Sequence, residues 1–349
     1  MEKNKKLITF ILPSKNSGGT HVVIQLFNGI NRIDENYSLH RVGKSVFGLF
    51  GELIKLFFYF VTSHFYKGNK VFVITEPLQC VIAVFSGVTY VRYVQAEDLS
   101  LFKKRAFFFG KVITLIQRLS TLKDRKFLYV SDYVKIKYLN QKIGGNNNCL
   151  SLKVNPLVDP GFVLISRAES GRFINNIKTY TVGYMARKSP SKGLDEFCFW
   201  MNSLGPNLSG KISKIIIISN EISYSTLKSK LKINFELICP SNYADIIETL
   251  KSVDVFVFNS KSEGFGLPPL EALLCGAQVV CSKCGGVDEY LDKSNSFLFN
   301  ISDEVSFIDA LSQPILHGIC LDVDKSSLIN RYSEYYNDFL TDVMNFIEK

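Results

Sequence analysis

At 349 residues the chain is longer than most single domains, so two domains are expected. Hydrophobic residues make up 46% and charged residues 21%, which excludes a disordered chain and supports sizeable cores. The net charge of +9 is uneven: residues 1–170 hold 24 Lys+Arg against 11 Asp+Glu and the remainder 17 against 21, so the first half suits an anionic partner.

Leu7–Leu12 is a short apolar run, as in a buried parallel strand. It ends in Pro13-Ser-Lys-Asn-Ser-Gly18-Gly19-Thr20, and apolar residues at helical spacing follow (Val22, Val23, Leu26, Phe27, Ile30). Strand, Gly-rich loop and helix open a doubly wound domain, with Gly18 and Gly19 at the carboxyl edge where ligands bind; a plain tight turn would use the same two glycines. Residues 46–66 read as an amphipathic helix interrupted by Glu52 and Lys55, and a strand over 70–75 follows. No run reaches the ~18–20 uninterrupted apolar residues of a spanning helix. Tyr90–Val94 is the next strand and ends in Gln95-Ala-Glu97-Asp98, polar residues placed as site candidates. A basic, aromatic helix is expected over 101–126, then the strand 126–130, with Ser131 as the N-cap of another helix.

The basic, aromatic segments near 55–70 and 101–126 suit an anionic membrane face, with Lys and Arg at the headgroups and Phe in the interface. The alternative is ordinary helices that bury Phe against the sheet. Aromatics of this core-like kind are not interleaved for base stacking, which argues against nucleic acid. Asn155-Pro-Leu-Val-Asp159 and the polar stretch to about residue 178 read as a linker. A second domain opens with a strand over 179–182, the turn Gly183-Tyr-Met-Ala-Arg187-Lys188-Ser-Pro-Ser-Lys192-Gly193, a helix to about 203 and a strand over 214–218. A helix over 243–252, a strand over 253–258, a helix over 268–275 and a strand over 278–281 continue the alternation, and 326–348 closes the chain as one helix. Strands alternating with helices in both halves mean two α/β domains with parallel sheets.

Eight cysteines are scattered, and no secretory signal precedes the first strand, so reduced thiols in a cytoplasm are expected. Cys281 and Cys284 have metal-ligand spacing but no second pair, and Asp322-Val-Asp324 stands in a poor context, so no metal is expected.

The densest chemistry lies in Asn259-Ser-Lys-Ser-Glu263-Gly-Phe-Gly-Leu-Pro-Pro-Leu-Glu271-Ala. A strand runs into a Gly-containing loop, Pro268 and Pro269 open a helix and Gly276 closes it. The N–H groups of Gly264, Phe265, Gly266 and Leu267 and the positive helix end suit an anion. Glu263 and Glu271 flank that site and can accept from sugar hydroxyls, while Arg187 and Lys192 can neutralise a diphosphate.

This Glu-x7-Glu pattern, with Gly276-Ala-Gln-Val-Val280 and Gly285-Gly286…Glu289 after it, resembles the family-4 retaining glycosyltransferases of GT-B fold. Weaker echoes are Pro13–Thr20, Val130-Ser131-Asp132, Asn155–Asp159 and Gly183…Arg187…Lys192-Gly193. The resemblance implies two Rossmann-like domains facing across a cleft, with boundaries near 1–165 and 166–325, and a final helix, 326–349, crossing back to the first. It implies a hexose moved with retention from a nucleotide-diphosphate sugar to a glycan or lipid-linked acceptor, as in bacterial surface polysaccharide synthesis. Glu263 would lie at the donor sugar, Glu271 at the ribose, Arg187 and Lys192 on the diphosphate, and no cofactor is needed. The protein would be cytoplasmic, peripheral at the inner membrane face through its basic first domain. The sequence departs from the pattern where Tyr184 and Met185 follow Gly183, which displaces the cation to Arg187 or Lys188. Where many members carry a His, it has Gln95, Glu97 and Asp98 as acceptor-side candidates.

Rival readings are a non-catalytic GT-B partner subunit and a sugar-nucleotide epimerase of the same architecture. A glycoside hydrolase would not need the clustered cations, and residues 13–20 lack the G-x-G-x-x-G of a dinucleotide oxidoreductase.

Overall fold

Apolar runs too short for helices and flanked by turn residues become the strands of two parallel sheets. A computed structural model of the chain describes residues 7–13, 18–45, 48–65, 70–96, 126–141, 149–168, 179–334 and 336–348. These divide into two compact units, Met1–Leu157 with Glu334–Lys349, and Val158–Ser333.

The first unit runs β1 (Leu7–Leu12), α1 (Gly18–Asn31), β2 (Tyr37–Arg41), α2 (Gly48–Ser63), β3 (Lys70–Ile74) and α3 (Pro77–Ser86). It continues through β4 (Thr89–Val94), β5 (Lys126–Tyr129), α4 (Asp132–Gln141) and β6 (Leu150–Lys153). The described strands form one parallel sheet in the order β2-β1-β3-β4-β5-β6. Strand order reverses between β1 and β3, so Gly18 and Gly19, which begin α1, lie at the switch point where such sheets bind ligands. On one face Leu56 and Phe60 of α2 and Cys80 and Ala83 of α3 bury against Ile11, Phe72, Ile74 and Tyr90. Ser131 Oγ accepts from Val134 N at 3.2 Å and starts α4 as its spacing predicts. The edge strands β2 and β6 escape the sequence pattern because each is largely half-exposed and carries no apolar run. Glu97, Asp98 and the basic helix expected from 101 fall within 97–125, outside the described residues.

The second unit opens with α5 (Pro160–Ala168), β7 (Tyr180–Met185), a 3-10 turn (Pro190–Lys192), α6 (Leu194–Ser203), α7 (Pro206–Ser209), β8 (Ile212–Ile218) and α8 (Tyr224–Lys230). Next come β9 (Phe235–Ile238), α9 (Tyr243–Lys251), β10 (Val255–Phe258), α10 (Leu267–Leu274), β11 (Gln278–Ser282) and β12 (Phe297–Phe299). After these stand α11 (Glu304–Ile315) and α12 (Lys325–Ile329), and α13 (Tyr336–Glu348) belongs to the first unit. The sheet is parallel in the order β12-β11-β10-β7-β8-β9, that of a dinucleotide-type fold with its switch point between β10 and β7. Tyr184 stacks on Phe197 at 3.9 Å, and Trp200 stacks on Phe307 at 5.0 Å in the same core.

Three expectations need correction. The stretch read as a linker contains α5, because Pro160 fits a first helical turn, Asp159 Oδ1 accepts from Gly161 N at 2.9 Å, and Phe162 buries completely. Gly183, Tyr184 and Met185 are not a turn but the end of β7: all three pair with β8, and Gly183 and Tyr184 also with β10. The closing helix is not continuous: α12 gives way to a π-helical turn over Asn330–Glu334 before α13. There Tyr332 is fully buried, and its hydroxyl donates to the Glu289 carbonyl at 3.1 Å.

Candidate active site

At the switch point of the second sheet, the chain leaving β7 meets the chain leaving β10. The Tyr184 hydroxyl donates to the Lys192 carbonyl at 2.7 Å and lies 3.0 Å from Asn259 Oδ1. Asn259 Nδ2 in turn donates to the Gly193 carbonyl at 2.8 Å, and Lys261 N to the Ser191 carbonyl at 2.7 Å. These buried bonds fix the 3-10 turn so that Lys192 Nζ reaches Glu263 Oε1 at 2.6 Å. Two sequence candidates 71 residues apart are thus joined, with Glu263 at 12% side-chain exposure.

The loop carrying Glu263 is stitched to the loop after β11. Glu263 N donates to the Cys284 carbonyl at 2.9 Å and Gly286 N to the Glu263 carbonyl at 3.0 Å, an isolated parallel bridge. Gly286 is required there, since a Cβ would lie 2.1 Å from the Gly264 carbonyl oxygen. Gly266 sits at φ +82°, the left-handed region in which Gly has no steric penalty, and its carbonyl accepts from the Tyr290 hydroxyl. Phe265 points inward, its ring 5.2 Å from Tyr290 and 5.5 Å from Tyr332. Its side chain is therefore a foundation for the loop, and the backbone is what faces a ligand.

Within the described residues, the N–H groups of Phe265, Gly266 and Leu267 donate to no other protein group. They stand at the positive end of α10, a ready anion site. One turn in, Glu271 is only 3% exposed. Burial pushes its carboxyl up to about 8, the Asp159 charge pushes the same way, and Arg187 opposes both. The same three charges act on the Tyr243 hydroxyl, so Glu271, Asp159, Arg187 and Tyr243 form one neighbourhood.

Arg187 is engaged differently from Lys192. Its Nη1 donates to Glu221 Oε1 at 3.0 Å, while Glu221 Oε2 accepts from Lys188 N at 2.9 Å. The Lys188 amide and the Arg187 guanidinium hold Glu221 below the usual carboxylate range. Beside this pair opens a cleft of about 520 Å³ lined by Arg187, Lys188, Asp195, Glu196, Glu221 and Lys261 among others. Glu221, Asn259, Tyr184, Tyr290 and Asp159 were not among the site residues expected from the sequence. Asp159 closes the Asn155–Asp159 echo, and Asn259 is a polar residue directly after an apolar strand at its carboxyl end.

In the first unit, Gln95 follows β4, and its Nε2 is buried with no partner among the described residues. The described residues contain no cluster of three or more His, Cys, Asp or Glu able to hold a metal. Asp324 of the Asp-x-Asp match caps α12, accepting from Ser327 N at 3.0 Å. Cys281 and Cys284 are buried with free thiols, and the Cys281 thiol, pushed up by burial, donates to the Ser282 carbonyl at 3.3 Å.

Two α/β units, each with a parallel six-stranded sheet among the described residues, define the GT-B class of fold. Residues 168–317, which hold Arg187, Lys192, Glu263 and Glu271, match the family model described as Glycosyl transferases group 1. Over 113 residues the chain is 27% identical to the Campylobacter jejuni N,N'-diacetylbacillosaminyl-diphospho-undecaprenol alpha-1,3-N-acetylgalactosaminyltransferase. That alignment covers 29% of this chain and 30% of the relative. Anabaena Alr3699/HepE, solved in complex with UDP and glucose, superposes with a TM-score of 0.72 at 15% identity, over 97% of this chain and 99% of that one. Sucrose-phosphate synthase from Thermosynechococcus elongatus gives 0.75 at 12% identity over 98% of each chain. At such identities the likeness is one of fold.

Proposed function

We propose that this protein is a retaining family-4 glycosyltransferase that moves a hexose from a nucleotide-diphosphate sugar to a glycan or lipid-linked acceptor in bacterial surface polysaccharide synthesis. The observation that carries the reading is the Lys192–Glu263 pair, 2.6 Å apart, beside the N–H groups that open α10. The family match over 168–317 and the UDP-bound structural neighbour support it.

The chemistry follows from charge. Breaking the glycosidic bond leaves oxocarbenium character on the sugar and negative charge on the departing diphosphate. Lys192, Arg187 and the N–H groups of Phe265, Gly266 and Leu267 stabilise that charge without reorganising, and Glu263 positions the sugar. Glu271 accepts from the ribose hydroxyls. With attack on the same face, the leaving phosphate takes the acceptor's proton, so the reaction needs no metal and no separate base. Gln95, Glu97 and Asp98 serve the acceptor side, and Gly18 and Gly19 border the donor. The enzyme works in the cytoplasm at the inner membrane face.

The test is sugar transfer by Glu263→Ala and Glu263→Gln, with UDP-, GDP- and dTDP-sugars screened first by thermal shift to name the donor. Both variants are expected to keep the wild-type melting behaviour and lose transfer by about 10²-fold or more. Transfer at the wild-type rate would overturn the catalytic reading and leave the partner-subunit alternative.

A further inference from the structure

Strands β7 and β8 run side by side to their last paired residues, Met185 and Ile218. Past that point each strand releases one long charged side chain at the carboxyl edge, Arg187 after β7 and Glu221 after β8, and the two meet at 3.0 Å. Glu221 is held from several directions. Its Oε1 accepts from Arg187 Nη1, its Oε2 accepts from Lys188 N at 2.9 Å, and its own N–H donates to Ser219 Oγ at 3.1 Å. Ser219 is buried; its Oγ also accepts from Ile222 N at 3.2 Å, and its N–H donates to the Ile238 carbonyl at 2.9 Å. Asn220 Nδ2, donating to the Pro240 carbonyl at 2.7 Å, ties the same turn to the chain leaving β9. The carboxylate is thus anchored to backbone, and the guanidinium to the carboxylate.

A carboxylate in that place needs a reason, because it stands next to a cation proposed to meet a diphosphate, and like charges repel. Stability is a poor one: the Arg187 and Glu221 side chains are 47% and 38% exposed, and pairs so open to water contribute little. Geometry is a better one. A free Arg side chain samples many rotamers, and a ligand that must stop them binds less tightly, whereas a guanidinium already held is pre-organised. The bond to Glu221 takes only Nη1, so the rest of the planar fork stays in a fixed plane for phosphate oxygens. Held there, Arg187 acts with its charge on Glu271 and on Tyr243, across the donor side of the unit. Through the Lys188 amide, Glu221 also fixes the backbone on which Arg187 stands.

We infer that Glu221 is a positioning residue, which fixes the Arg187 guanidinium in the orientation that grips the diphosphate of the nucleotide sugar. This deepens the donor reading above and rests on it.

The experiment is calorimetric titration of the full chain with UDP, GDP and dTDP, for wild type, Glu221→Gln, Arg187→Ala and the double variant. Glu221→Gln keeps the side chain's size and can still accept from Lys188 N, but its amide nitrogen cannot accept from Arg187. Charge alone and positioning then predict opposite signs. Loss of a negative charge would tighten nucleotide binding; loss of positioning should weaken it, by about three- to tenfold, at the wild-type melting temperature. In the Arg187→Ala background the same change should weaken binding no further, since the group through which Glu221 acts is gone. Equal or tighter binding by Glu221→Gln overturns the inference. So does a loss that persists beside Arg187→Ala, which would be a general effect on the loop, and so does an Arg187→Ala variant that binds as wild type does. Wild type that binds none of the three nucleotides overturns the donor reading, and the inference with it; binding by wild type and Glu221→Gln alike overturns only the role of Glu221.

Discussion

Glu271 combines deep burial with the nearby negative charge of Asp159, and this makes it a pH-sensitive residue. Its folded carboxyl titrates at about 8 against an ordinary 4.5. Between those values the unfolded chain has lost a proton that the folded protein keeps, so stability falls as pH rises. The contribution of the neutral carboxyl is complete below about 4.5 and is lost as pH climbs through about 8. Glu271→Gln removes the titration, so the variant should melt above wild type near pH 8, with the gap closing toward pH 4.5 in thermal scans. If the ionised carboxylate grips ribose, donor binding expels the proton: wild-type affinity should rise with pH through this window, and that of Glu271→Gln should be weak and flat. A flat wild-type profile by calorimetry would remove Glu271 from the ribose. At this scale Glu263, Glu271, Lys192 and Arg187 stand out in the sequence as candidates because they follow strand ends or open a helix. Glu221 does not, because it acts on a residue 34 positions away and nothing local marks it, and Asp159, though it closes the Asn155–Asp159 echo, shows no sign in the sequence of acting on a residue 112 positions on.

Two loops and a strand, not any one segment, build the site as an element. The loop after β10 is held by its bridge to the loop after β11 and by the aromatic trio Phe265, Tyr290 and Tyr332 beneath. Gly286 is where those loops touch, and a methyl group there would meet backbone rather than a side chain that could swing aside. Gly286→Ala should therefore destabilise by about 1–3 kcal/mol, the range for overpacking, and displace Glu263 enough to weaken donor binding. Gly205→Ala, at a position with open space around an added methyl, is the matched control and should be near neutral. Equal melting temperatures for the two variants would mean that the loops separate freely. The sequence showed the Gly285-Gly286 pair but not its role, because the contact joins segments more than 20 residues apart. Likewise α5 hid in an apparent linker, since its helix start is a Pro-Gly pair that reads as a turn until Phe162 finds its core.

For the whole molecule, the question is what each unit needs in order to fold. Val158–Ser333 is continuous, carries its own core and contains Arg187, Lys192, Glu263 and Glu271, proposed to hold the donor. The first unit is completed only by the far end of the chain: α13 packs on α1, burying Leu340, Val343 and Ile347, and Tyr37 donates to Glu348 Oε1 at 3.3 Å. Three such side chains contribute about 5 kcal/mol, comparable to the net stability of a domain. A parallel sheet can be anticipated from apolar runs, whereas a closing contact between residues some 300 positions apart has no local signature. The fragment 158–333 should then melt cooperatively and bind a nucleotide sugar in a thermal-shift assay. The fragment 1–157 should expose the apolar side of α1 and aggregate or bind a hydrophobic dye, and a peptide of residues 334–349 should restore a cooperative melt. Cooperative unfolding of 1–157 alone, at the temperature of the same unit in the full chain, would show that α13 is a passenger on a sheet that is already complete.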